Sequence, residues 1–251
     1  MPRLESCYIG TSGWGRYIGF RGGVDYYEER SGLNMVEIAS SFKKLPAEID
    51  VKIWSFRRLL WSALADWRSL ERYQLDWRGR RLVERLAERL QPLGGRLRFI
   101  VLRVRPSIRP GEQLLERIGM LADSPLLRGR LAVEAPHWPS DVIRLLGEAG
   151  AYPASTSSPL GLRLHVAADG SLFLRLIGSK LWYTGGYTAE EIASIVDELS
   201  RLEGLRSLYA VASVGRESYQ AARLLARTLL DRGVCPPLRL ADGSPAPSIE
   251  G

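Results

Sequence analysis

Short apolar runs separated by amphipathic stretches set the pattern of this chain. Tyr8–Ser12, Met35–Ile38, Phe99–Val104, Leu131–Glu134 and Leu208–Ala212 have the length and the β-prone composition of buried strands. Val51–Ser55 reads as a third strand with Trp54 near its end, and Tyr152–Ser155 as a sixth. Between the strands the apolar period lengthens to that of a helix. In Arg80–Leu90, Leu82, Val83, Leu86 and Leu90 share one face, while Arg81, Glu84, Arg85, Glu88 and Arg89 lie elsewhere. Gln113–Ala122 repeats the pattern, and Pro139 admits a helix over Ser140–Ala149. Thr188 and Glu191 form a capping-box pattern for a helix running to about Leu202. Tyr26–Arg30 and Ser218–Asp231 complete the helices. Leu162–Val166 and Leu172–Leu176 alternate in hydrophobicity about the turn Ala167–Gly170, which predicts a β-hairpin before or within the seventh strand.

Strand and helix alternate, and eight strands in 251 residues favour a single-domain, variant TIM-like (β/α)8 barrel with an inserted hairpin near strand 7. The barrel domain is expected over residues 1–235, followed by a Pro/Ser-rich tail, 236–251, read as extended or disordered. The Gly-rich stretch after the first strand lacks both the dinucleotide fingerprint and the Walker lysine, so it is not a phosphate-binding loop. There is no apolar run of signal-peptide or membrane-spanning length, and the expectation is a cytoplasmic protein without a membrane partner.

In such a barrel the charges near the C-terminal ends of the strands converge: Glu37, Arg103, Glu134 and Arg175. Glu37 and Glu134 are the candidate catalytic residues, since a glycosidase-type reaction needs two carboxylates. The alternative is that each is salt-bridged to a neighbour such as Arg175 or Arg103. Arg103, Arg105 and Arg175 have the forked donors that hold phosphate or carboxylate. Trp14, Tyr17, Tyr183 and Tyr187 fall in loops expected at the same end and offer a stacking wall. His137 is counted with the substrate-binding residues. Its spacing from Glu134 would suit a metal, but His137 and His165 are the only histidines, so no metal site is assigned. His165 is expected at the surface. The sequence names no cofactor and sets no oligomeric state.

The formal charge of +7 favours an anionic small molecule or nucleic acid as partner. Residues 56–81 interleave arginine with tryptophan, a pattern that can grip a nucleic-acid strand but equally serves core anchoring and snorkelling. Only four lysines and one asparagine, Asn34, accompany the many arginines and glutamates, a balance that suits a hot environment. Two readings of Cys7 and Cys235 stay open. They are buried free thiols, or, because barrel closure brings the chain ends together, a bridge of the kind that persists in hyperthermophiles.

The ordered series GTSGW (10–14), VEIASSF followed by LP (36–46), VEAPHW (133–138), LRLIG (174–178) and YTGGY (183–187) resembles the YecE-like family, domain of unknown function 72. The resemblance runs to about Leu230 and implies a variant TIM barrel. The chain departs from the family pattern at Ala39, where asparagine is usual, at Ile177 in place of a histidine, at Arg103 in place of a glutamine, and at Ala212–Val214. The functional expectation is a hydrolase acting on an anionic or phosphorylated substrate at the barrel mouth. The rival is a non-catalytic nucleic-acid- or protein-binding module that uses residues 56–81.

Overall fold

Apolar runs too short for a helix, once paired side by side, bury both their faces and leave no exposed strand surface to alternate. The computed structural model, which describes residues 4–39 and 46–249, builds its strands in this way. They are β1 (Ser6–Ser12), β2 (Met35–Ile38), β3 (Leu60–Leu64), β4 (Leu97–Arg103), β5 (Leu131–Glu134), β6 (Tyr152–Pro153), β7 (Ser155–Ser158), β8 (Gly161–Arg163), β9 (Ser171–Leu176) and β10 (Ser207–Ala212). The helices are α1 (Val24–Arg30), α2 (Glu48–Trp54), α3 (Arg68–Glu71), α4 (Trp77–Leu90), α5 (Glu112–Ala122), α6 (Ser140–Glu148), α7 (Ala189–Arg201) and α8 (Ser218–Asp231). None is long and apolar enough to cross a membrane.

The chain divides into two compact units: Met1–Glu37 with Arg57–Leu60 and Ser155–Gly251, and Ile38–Phe56 with Trp61–Ala154. In the first unit the strand order is β2, β1, β10, β9, β7, β8. All of these pairs are parallel except β7 with β8. Helices α7 and α8 bring Ile192, Val196, Leu199, Leu225 and Leu229 into its core. The capping box at the start of α7 forms as the sequence predicts, with Thr188 Oγ1 accepting from Glu191 N–H at 3.2 Å and Glu191 accepting from Thr188 N–H at 2.9 Å. In the second unit β3, β4, β5 and β6 run parallel in sequence order. Val83, Leu86 and Leu90 of α4 are buried, and Asp76 caps that helix by accepting from the N–H groups of Arg78 and Gly79.

Three expectations are corrected. Val51–Ser55 is not a strand: α2 covers Glu48–Trp54, with Glu48 and Asp50 in its first turn, where acids favour a helix, and Val51 and Trp54 turned inward. Trp54 therefore stacks on Trp61, ring centroids 5.6 Å apart, and does not end a strand. The third strand is the fully buried Leu60–Leu64. Second, the inserted hairpin is present but built differently. Its antiparallel pair is β7 with β8, joined across Ser158 and Gly161, while β9 pairs parallel with β7 and β10. The turn Ala167–Gly170 does form, with Gly170 N–H donating to Ala167 O.

The third correction concerns the tail, which is neither extended nor disordered through residue 249. Leu238 and Leu240 are buried, Ala246 N–H donates to Leu238 O at 3.0 Å, and Ala241 N–H donates to Arg58 O at 2.6 Å. Asn34, fully buried, uses its whole side-chain amide here. Its Oδ1 accepts from Ile9 N–H at 2.7 Å, and its Nδ2 donates to Cys7 O and Arg239 O, each at 2.8 Å. At the base of the tail Cys235 is bridged to Cys7, with Cα atoms 5.9 Å apart, so the bridged reading holds over free thiols. Titration of the unfolded, non-reduced monomer should find no reactive thiol, and reduction should lower stability by up to about 5 kcal/mol in the chain-entropy model. Two reactive thiols per chain would sink the assignment.

Candidate functional site

In the first unit the segment after β1 is shaped by two close approaches. A Cβ on Gly10 would meet Met35 O at 1.8 Å, so only glycine lets β1 and β2 pair here. Gly13 has φ +91°, and the Tyr17 hydroxyl occupies the space its Cβ would take. Thr11 Oγ1 donates to Gly13 O at 2.7 Å, and Gly13 N–H donates to Glu37 O at 2.7 Å, which fastens the loop to β2. Tyr17 is thus 54% exposed as a residue, with its hydroxyl turned in, 3.5 Å from Ser12 O. Burial raises the Tyr17 phenol above its ordinary pKa, and the negative charge of Glu37 raises it further. Trp14 is half-buried on the same loop.

Glu37 and Arg175 are both 0% exposed. Arg175 Nη2 donates to Glu37 Oε1 at 3.1 Å, and Nη1 donates to Oε2, a two-pronged pair. Arg175 stands level with Val211 of β10, and Val211 with Gly10 of β1. The Arg175 side chain therefore spans β10 and β1 to reach Glu37 on β2. Beyond β9, Gly178 has φ +107° and Tyr183 φ +56°, the latter a strained value for a large side chain. The Tyr187 hydroxyl donates to Ser157 O at 2.9 Å and accepts from Gly178 N–H at 3.0 Å. Burial raises its pKa against the opposing effect of the bond to Ser157. Tyr183 is half-buried, 6.3 Å from Trp182 between ring centroids. His165 is half-buried rather than at the surface, and burial lowers its pKa.

In the second unit Arg103 and Glu134 are the last residues of β4 and β5 and stand directly opposite in register. Arg103 Nε lies 3.2 Å from Glu134 Oε1; the Glu134 side chain is 0% exposed and that of Arg103 is 19% exposed. Val104 N–H donates to Glu134 O at 2.9 Å and fixes the backbone at that point. His137 is half-buried with Nε2 3.4 Å from Ile108 O, the carbonyl that also accepts from Trp138 Nε1 at 2.9 Å. Sequence reasoning missed Asp66 and Glu71. Asp66 follows β3 and is held by Arg68, while Glu71 lies 2.5 Å from Arg105, whose guanidinium stands 5.9 Å from the Trp67 ring centroid. The signal is an acid just past an apolar run, LWSALAD, obscured by the neighbouring VKIW, whose alternation imitates a strand.

Each unit therefore brings together one glutamate and one arginine from its own strand ends: Glu37 with Arg175, and Glu134 with Arg103. No group of three or more His, Cys, Asp or Glu side chains among the described residues could hold a metal ion. In residues 56–81, Arg57 pairs with Asp25 and Arg58 with Glu28 in the first unit. Arg68 pairs with Asp66, Arg78 with Asp76, Arg80 with Glu84 and Arg81 with Glu88 in the second.

Residues 8–242 match the model of a family described as "Protein of unknown function DUF72". The chain is similar to the crystal structure of a DUF72 family protein from Enterococcus faecalis V583, with TM-score 0.70 and 12% identity over 89% of this chain and 95% of that one. It is also similar to a xylose isomerase domain protein from Planctomyces limnophilus, with TM-score 0.57 and 9% identity over 93% of this chain and 98% of that one. At these identities the likeness shows the fold, an α/β fold of the TIM-like barrel class. No curated protein sequence matches.

Removing one member of the Glu37–Arg175 pair strands a charge in the interior. Arg175→Met should cost about 3 to 5 kcal/mol in urea denaturation, and the double variant Glu37→Leu with Arg175→Met should recover most of that loss. A single-variant cost below about 1 kcal/mol would contradict the buried pairing.

Proposed function

This chain belongs to the DUF72 family, and we propose that it is a hydrolase acting on an anionic or phosphorylated small molecule at the C-terminal ends of its parallel strands. The observation that carries the proposal is the second unit's strand-end pair. Glu134 is sealed from solvent while its partner Arg103 is partly exposed. A partly exposed guanidinium can take up a phosphate or carboxylate by charge-assisted hydrogen bonds, and doing so draws it away from Glu134. The glutamate then becomes the nearest base for a water molecule beside the bound anion. Chemistry at the C-terminal strand ends is the rule in TIM-like barrels, a support by fold analogy. In the first unit, Arg175 is committed to Glu37, and this pair holds the carboxylate in place near the Tyr17 hydroxyl. Trp14, Tyr183 and the exposed ring of Tyr17 are the apolar surfaces of the first unit's strand-end loops on this reading.

The rival, binding of single-stranded nucleic acid by residues 56–81, draws support from Trp77, which is 76% exposed with the Arg78 guanidinium 5.5 Å from its ring centroid. Against it, six arginines of the segment already face carboxylates, which subtracts from the charge left to neutralise phosphates.

A panel of nucleotides, sugar phosphates and simple phosphate esters should reveal phosphate release by the wild-type chain. Glu134→Gln should then lower kcat by about 100-fold or more, and Arg103→Met should chiefly raise KM. Absence of turnover together with salt-dependent binding of generic single strands, unchanged in Glu134→Gln, would replace the hydrolase reading with the rival.

A further inference from the structure

Between helix α8 and the C-terminal tail, the first unit forms a pocket, open to solvent on one side, of about 660 Å3, to which neither Glu37 nor Arg175 contributes. One wall is α8, with Arg223, Arg227 and Asp231; the other is the tail, with Pro237, Pro245 and Pro247. We propose that this cavity binds a small amphipathic monoanion, one carboxylate or phosphate group carried on an apolar body. The volume lies in the range of small-molecule sites. Proline has no N–H, so at three places the tail wall presents hydrocarbon without a backbone donor. Leu230, Leu238 and Ile249 extend that apolar surface.

Cationic recognition comes from the helix side, where Arg223 and Arg227 lie one turn apart on the same wall. Arg223 is held in place: its Nη2 donates to Ile249 O at 2.5 Å, and its guanidinium stands 5.6 Å from the Tyr219 ring centroid. Arg227 Nε is 3.7 Å from Asp231 in a pair whose side chains are 76% and 68% exposed, a weak tie that leaves it able to turn to a ligand. Two arginines against one aspartate leave the lining one positive charge in excess, which matches a monoanion better than a polyphosphate. The tail wall is fastened in advance by the Cys7–Cys235 bridge, by Asn34 on Arg239 O and by Ala241 on Arg58 O. Little ordering is then left for binding to oppose.

The test uses the full, oxidised chain in titration calorimetry with decanoate, its neutral isostere decanamide, and inorganic phosphate. Decanoate should bind once per chain, with decanamide and phosphate each weaker by at least about tenfold. Arg227→Glu should weaken decanoate by a similar factor, and Arg227→Lys should restore most of the affinity; Arg227→Gln serves if the charge reversal fails to fold. Glu134→Gln should leave decanoate binding unchanged, which separates this cavity from the proposed hydrolytic residues. Decanamide binding as tightly as decanoate would overturn the anion claim, and phosphate binding as tightly would overturn the apolar one. Absence of binding, or its loss in Glu134→Gln, would overturn the site itself.

Discussion

The pair between Arg175 and Glu37 is the constraint from which the first unit's architecture follows. Two charges wholly removed from water cost several kcal/mol each, and only close two-pronged geometry offsets that cost. To achieve it, the arginine must pass β10 and β1 to reach β2. The absence of a side chain at Gly10 lets Met35 O approach β1, and the β1–β2 pairing in turn sets Ser12 opposite Glu37. A one-residue slip of β2 would turn Glu37 to the other face and leave the guanidinium alone in the interior. The pair thus acts as a register device across four strands, beyond any catalytic use.

A second network, uncharged, does comparable work at the opposite ends of those strands. Asn34 is the chain's only asparagine, and its amide accepts from Ile9 N–H and donates to Cys7 O, both on β1, and to Arg239 O on the tail. Aspartate there would lose both donors and gain a buried charge. Leucine would strand Ile9 N–H, Cys7 O and Arg239 O together. The disulfide lies beside this hub, so the tail is joined to β1 by a covalent bond and by the amide at once. Proline-rich composition, which by itself suggests disorder, is overridden when the backbone groups that remain are satisfied in this way.

Legibility in the sequence followed the contrast between each element and its surroundings. β2, β5 and α8 coincide with the runs Met35–Ile38, Leu131–Glu134 and Ser218–Asp231, because each is a clean apolar run or stripe bounded by loop residues. β3 was obscured: Leu60–Leu64 sits among arginines and tryptophans, and the neighbouring VKIW alternates like a strand although its burial has helical spacing at Val51 and Trp54. β7 carries no such signal, for the opposite reason. Ser155–Ser158 has no hydrophobic side chain, yet all four residues are buried, the Ser155 hydroxyl being satisfied by His165 N–H and the Ser157 carbonyl by Tyr187. The Glu37–Arg175 and Glu134–Arg103 pairs were foreseeable as neighbours once parallel strands were assumed, but which arginine served which glutamate depended on strand order.

The departures from the family pattern bear on where chemistry can lie. Ile177 is fully buried; Val214 is fully buried as well, and Ala212 nearly so. These side chains ask for no hydrogen-bond partner and offer none. Among the described residues, the polar groups at the strand ends of the first unit include Glu37 with Arg175, the hydroxyls of Tyr17 and Tyr187, and the serines at positions 12, 157 and 213. Since Arg175 is spent on Glu37, proton transfer there would have to begin by breaking a pair with no solvent to receive either charge. The Glu134–Arg103 pair differs in one respect: the Arg103 side chain is 19% exposed, so its guanidinium keeps contact with solvent, while Glu134 is sealed as Glu37 is. The first unit's ion pair, closed to solvent on both sides, therefore acts to hold its strands.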